Sequence, residues 1–223
     1  PARSFVRARE WAESFYGEEL GTTLPPLYEK LTGPLPVCDD NLYDYSGGNE
    51  TDSDEDSDRY GYWCLAAMRS AGDYGLVCPV RELARHLSDG GRRVHQYQFT
   101  CAPQYSANFP KNTVDKGAFH GAEVPFVFGD QFELTGSEER TLSQAMGCYW
   151  RNFAWRGDPN PMSGDNCPVP LKKWPAYTTA GDTTMILDEE SPRTVQGLHV
   201  DRCDIFAKKK IAGPAESNPK WMI

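Results

Sequence analysis

Residues 117–129 read GAFHGAEVPFVFG, and this short stretch decides how the rest of the chain is read. His120 stands between Gly117 and Gly121, in a loop that opens an apolar segment. The glycines let the backbone turn sharply and approach other elements closely. Glu123 follows three residues on, near enough on an incipient helix to share the neighbourhood of the ring. From residue chemistry alone, His120 is a loop histidine delivered toward a shared site, where it serves either proton transfer or a packing and capping role.

Outward from this stretch, the chain mixes many helices with few strands. Upstream, YWCLAAMRSAG (62–72) reads as a short apolar helix, and LVCPVRELARHLSDGG (76–91) as another. In the latter, Val80, Leu83, Ala84 and Leu87 form one apolar stripe, and Gly90-Gly91 is a helix stop. VHQYQFT (94–100) alternates and is rich in β-formers, so it reads as a strand. Downstream, residues 135–156 give the clearest helix, with Leu142, Ala145, Met146, Tyr149 and Phe153 on one face. Thr135 and Glu138 have the spacing of a capping box. Gly157-Asp158-Pro159-Asn160-Pro161 ends that helix. Two short β candidates follow, Trp174–Tyr177 and Thr183–Leu187, and a last helix runs from about Val200 to Lys209. At the N-terminal end, residues 5–32 are helical in two pieces joined at Gly21 or Pro25. These strands are too few to form a sheet of useful size on their own. Six Trp and ten Phe must be covered by something else, which makes the chain part of a larger fold.

Composition narrows the classes. The 223 residues are 39 % hydrophobic, 25 % charged and 12 % aromatic, which is globular. A net charge of -9 argues against a nucleic-acid partner. Mean hydropathy is -0.62 and no apolar run is long enough for a membrane span. The chain starts PARSFVRARE, without Met or an apolar signal core, as expected of a processed or excised piece. Residues 46–59, beginning SGGNETDSDEDSD, read as an exposed acidic loop. Asp52, Asp54, Asp56 and Asp58 imitate the start of a calcium loop, but Ser57 stands where the turn Gly belongs and Trp63 where the closing Glu belongs. Seven cysteines show no CxxC pair, so no metal site and no cofactor is expected. Scattered cysteines and the Asn49-Glu50-Thr51 sequon favour an extracellular or secretory location. There is no HExxH, GxSxG, GxGxxG or P-loop pattern. For His86, His95 and His199, nothing nearby supplies a partner of metal or triad type.

Taken together, GAFHGAEVPFVFG, the preceding DYGLVCPVRELARHLSDGGRRVHQYQF (73–99), and the later MGCYWRNFAWRGDPNP (146–161) with WPAY (174–177) resemble the type-B carboxylesterase and cholinesterase family. The resemblance covers roughly Ser4 to Phe206. It implies an α/β class: the C-terminal part of an α/β-hydrolase fold, residues 1–206, followed by a tail at 207–223. It implies helices packed on the last strands of a mostly parallel sheet that another chain or segment completes. It also implies a Ser, Glu, His triad in that order, with His120 as general base and acid. Glu123 falls on an acidic position beside that histidine, with a supporting or structural role. Phe119, Tyr105 and Phe109 are expected near the substrate pocket, where they either line it or pack beneath the loop. Cys78 and Cys203 match a disulfide that ties the helix before the strand to the C-terminal helix. The serine elbow, the oxyanion segment and the triad glutamate have no counterpart in this sequence. Two arrangements follow: a carboxylic ester hydrolase completed by an N-terminal piece of the same precursor, or an inactive cholinesterase-like adhesion or scaffold protein.

Overall fold

The structure, a computed structural model, describes residues 10, 12–29, 69–103, 118–129, 134 and 136–208. Asn49, Tyr105, Phe109, the acidic loop 46–59 and the tail from 209 lie outside the described residues. The chain divides into two compact units, 1–79 with 199–223, and 80–198.

In the first unit, residues 12–16 are helical, and a second helix, α1, spans Glu18–Glu29. The join lies at Gly17, not at Gly21 or Pro25. Gly17 has φ +86°, which a residue without Cβ adopts at no steric cost. Its N–H closes the first piece on the Glu13 carbonyl at 2.9 Å, and its own carbonyl accepts from Gly21 N–H at 2.9 Å. Gly21 serves packing instead: a Cβ there would land on Glu13. Tyr16, Leu20, Leu24 and Tyr28 recur every fourth residue and are buried with Ala12 and Phe206. A π-helical turn, Asp73–Val77, leads into α2, Cys78–Asp89. The last described helix of this unit, which we label α5, spans Val200–Lys208.

The second unit is built on a three-stranded mixed sheet of order β1-β2-β3, with β1 Tyr97–Phe99, β2 Thr183–Leu187 and β3 Arg193–Gln196. Strands β1 and β2 are parallel, with Tyr97 opposite Met185 and Phe99 opposite Leu187. Strands β2 and β3 are antiparallel. A parallel pair needs a long crossover. It contains α3, Val124–Phe128, and α4, Ser137–Arg156. Leu142, Ala145, Met146 and Tyr149 of α4 meet Phe126, Trp174, Met185 and Leu187 in one core. The first turn of α4 is satisfied one residue later than the Thr135–Glu138 spacing suggests: the Glu139 carboxylate accepts Gly136 N–H at 3.1 Å.

Three further differences from the sequence reading have physical causes. Residues 174–177 are not a strand. Pro175 has no N–H to give a ladder. Trp174 N–H instead donates to the Asn160 side-chain oxygen at 2.7 Å, and Tyr177 N–H to the Val94 carbonyl at 2.7 Å. Strand β3 carries no apolar run, and its residues are mostly exposed. Helix α2, finally, buries Arg81 and Ala84 and leaves Val80, Leu83 and Leu87 exposed. Arg81 is drawn inward by an ion pair with Asp182, which also accepts from the Tyr177 hydroxyl at 3.0 Å.

The GDPNP segment is a structural clamp. Gly157 closes α4 in the left-handed conformation, φ +70°. The Asn160 amide then accepts from Trp174 N–H at 2.7 Å and donates to the Trp174 carbonyl at 2.8 Å, as a strand partner would. The Trp174 indole N–H donates to the Gln96 carbonyl at 3.2 Å, so the clamp seats the core indole against the backbone just before β1. Asn160→Ala leaves those backbone groups without a partner and is expected to cost about 2–3 kcal/mol. Urea denaturation at constant slope checks this; a loss below about 0.5 kcal/mol shows that the clamp does not hold the indole.

Candidate active site

The segment around His120 is a turn followed by a short helix. The Phe119 carbonyl accepts from Ala122 N–H at 3.0 Å, which places His120 and Gly121 at the tip of a four-residue turn. Gly121 has φ +86°, as the third position of a type II turn demands. A Cβ at Gly121 would meet nothing within 4 Å, so the demand for glycine here is conformational, not steric. The turn continues through Gly121 carbonyl to Val124 N–H at 3.1 Å and Glu123 carbonyl to Val127 N–H at 3.0 Å. Helix α3 then ends at Gly129 with φ +68°.

The turn is anchored from below. Ala122 and Phe126 are wholly buried. Phe126 stacks edge-on against Phe99 of β1 with ring centroids 4.9 Å apart. The Ser143 hydroxyl of α4 donates to the Phe126 carbonyl at 2.7 Å, a buried bond that fixes α3 on α4. A strand, a long helix and a buried aromatic ring therefore hold the loop that carries the imidazole.

His120 itself is exposed on this chain, Phe119 is half-buried, and Glu123 is half-buried. Among the described residues, none makes a hydrogen bond or ion pair with the His120 ring. Glu123 lies close enough to Tyr97 for its charge to be felt: burial raises the Tyr97 hydroxyl above its ordinary value, and the Glu123 carboxylate adds to that. The sequence-designated residues are thus split. His120, Phe119 and Glu123 share one turn, while Tyr105 and Phe109 lie outside the described residues.

Cys78 and Cys203 form a disulfide with Cα atoms 5.2 Å apart. A second disulfide joins Cys148 to Cys167, Cα atoms 6.0 Å apart, and Cys101 is a buried free thiol whose pKa burial pushes up to about 12. Neither feature was legible from spacing, because seven cysteines admit many pairings. The other histidines lack comparable settings. His86 is exposed beside Glu82 on α2, at 3.1 Å. His95 packs edge-on against Phe153 and Trp174, and burial lowers its pKa. His199 gives its backbone carbonyl to Cys203 N–H at 2.9 Å. No group of three potential metal ligands occurs among the described residues, and no described helix is long and apolar enough to cross a membrane.

Chemically, one imidazole on a rigid, exposed turn can accept and return a proton. Comparison with known proteins adds the rest. Residues 37–206 match the model of the carboxylesterase family. The chain is also similar to acetylcholinesterase 1 of Caenorhabditis briggsae, 33 % identical over 134 residues. That match takes in 58 % of this chain and 20 % of the relative, so the chain spans about a fifth of the length of the curated relative it matches.

Proposed function

The chain belongs to the carboxylesterase family, and on that premise we propose that it is the C-terminal part of a carboxylic ester hydrolase whose nucleophile lies on other polypeptide. The family implies an α/β-hydrolase fold, and the helices and mixed sheet of the second unit are compatible with it. The single observation that carries the reading is His120, set at the tip of an anchored turn inside the matched region.

In this reading the imidazole of His120 takes the proton of a serine hydroxyl as the oxygen attacks the ester carbonyl. It returns that proton to the departing alcohol, and then activates the water that cleaves the acyl-enzyme. The serine, a triad glutamate that orients the ring and the backbone N–H groups that hold the oxyanion come from an N-terminal piece. Glu123 supports the turn without being the triad acid. Phe119, with Tyr105 and Phe109, offers aromatic surface to acyl or alcohol groups. The exposure of the ring on this chain is what such a shared site requires. The interface resembles a core cut in two, large and apolar. An extracellular or secretory location fits the two disulfides, and Asn49 is the glycan acceptor this location would use.

Two measurements test the reading. Native material, denatured and weighed, is expected to contain a GxSxG-bearing polypeptide besides residues 1–223, either as a second chain or as an extension of this one. That polypeptide is expected to be labelled by a serine-directed phosphonate. A native protein that carries the serine segment but takes up no phosphonate is an inactive adhesion or scaffold protein instead. The turn supplies a finer test. Gly121→Ala forces a Cβ into the left-handed region at a cost of about 1–2 kcal/mol. It shifts the ring by enough to lower kcat by about 10 to 100-fold, with KM nearly constant. Unchanged kcat would show that the turn does not set the position of the imidazole.

A further inference from the structure

Helix α2 turns the wrong face outward for a free-standing protein. From Val80 to Ser88 its inner side carries Arg81, paired with Asp182, buried Ala84, and Ser88, whose hydroxyl donates to the Tyr177 carbonyl at 3.3 Å. Its apolar stripe, one i, i+3, i+7 row, faces solvent: Val80 is 52 % exposed, Leu83 56 % and Leu87 42 %. A stripe of that spacing is the face a helix normally buries. On α3, beside the His120 turn, Val124 is 49 % and Phe128 81 % exposed.

We infer that the α2 stripe is the seat of the N-terminal remainder of this same protein, which lays an apolar face along Val80, Leu83 and Leu87. The inference rests on the hydrolase reading only for the existence of that remainder. Three observations select this occupant. The relative is about five times longer than the matched region, so most of a complete fold lies outside this chain. The parallel pair β1–β2 belongs to a sheet type that is covered on both faces and has more strands than three. The rim of the stripe carries no net field: Glu82 faces His86 at 3.1 Å and Arg85 at 4.0 Å, so its charges answer one another. A helix that binds anionic lipid instead surrounds its apolar face with unpaired basic residues. An apolar partner surface with a polar edge fits this rim. Val124 and Phe128 offer the same remainder a second apolar contact at the catalytic turn.

Hydroxyl-radical footprinting with mass-spectrometric readout tests this without any need for activity. Residues 1–223 alone are compared with the native protein that contains the serine-bearing segment. Oxidation of Leu83 and Leu87 is expected to fall about fivefold in the native protein, to the level of interior side chains. Equal oxidation in both samples overturns the inference. Protection that appears in the isolated chain as its concentration rises overturns it too, since a second copy would then be the occupant. Protected leucines in a protein that takes up no phosphonate leave the seat standing and remove the hydrolase reading. Exposed leucines in an active enzyme do the reverse. As a second variant, Leu83→Asp in the native protein is expected to weaken retention of the two pieces after a proteolytic nick by about tenfold, while the isolated chain melts unchanged. Equal retention speaks against the seat.

Discussion

His120→Ala is expected to lower ester turnover of the complete protein by about four orders of magnitude, with KM nearly unchanged. The size follows from the role. Without the imidazole, the serine hydroxyl keeps its proton and the leaving alcohol receives none, so both proton transfers fail together. Oxyanion donors and substrate binding leave only a residual rate, because triad members act as a unit. The effect is confined to kcat because the ring holds no part of the ground-state ester. Stability is the control. His120 is exposed on this chain and no described residue bonds its ring. Its removal leaves Ala122, Phe126 and the Ser143 bond in place. The melting temperature is therefore expected to stay within a few degrees. Turnover within a few-fold of the natural protein, measured on folded material, would falsify the assignment of proton transfer to this residue.

The parts of the fold legible in the sequence are those where a local pattern and the tertiary demand agree. Helix α4 has an apolar row from Leu142 to Tyr149 and a glycine at its end, and both face what they should. Strand β2 is a continuous apolar run, Met185 to Leu187, and is buried along it. Where the two demands part, the sequence misleads. The stripe of α2 has helical spacing, yet the inward face is decided by Arg81, whose partner Asp182 is 101 residues away. Trp174–Tyr177 looks like a strand, yet its N–H groups are taken by an asparagine side chain and by the Val94 carbonyl. β3 is a strand only because β2 offers it a ladder. For the site, the residue type and its flanking glycine are readable, since φ +86° at Gly121 has a known meaning. The chemical partners of the ring are not readable here, because the sequence carries neither a GxSxG nor an oxyanion loop.

The second large effect concerns a buried charge in the first unit. Asp73, in the π-helical turn, accepts from the Tyr28 hydroxyl at 2.5 Å and from the Arg202 guanidinium at 2.8 Å. Both charged side chains are nearly buried, 7 % and 12 % exposed. The guanidinium carbon also lies 5.6 Å from the centre of the Tyr28 ring. Burial raises the Asp73 pKa above its ordinary value, and Tyr28 and Arg202 hold it back. Arg202→Leu takes away the only ion-pair partner printed in this cluster and leaves a carboxylate in an apolar setting. The expected loss is about 3–5 kcal/mol in denaturant unfolding of the oxidised protein. The Cys78–Cys203 bridge does not replace the pair: it restrains the unfolded chain, whereas the arginine neutralises a charge in the folded one. The direction with pH follows from linkage. A carboxyl whose folded pKa lies above its unfolded value binds protons more readily in the folded state, so stability falls as pH rises from the unfolded pKa through the folded one. Without Arg202 that window extends further upward. The deficit of Arg202→Leu is therefore expected to be largest near neutrality and to shrink on acidification toward pH ~4. The companion variant Asp73→Asn with Arg202→Leu removes the charge itself and is expected to recover much of the loss. A deficit that stays constant with pH, or a double variant no more stable than Arg202→Leu alone, would mean that lost packing of the arginine stem, and not the stranded carboxylate, sets the cost.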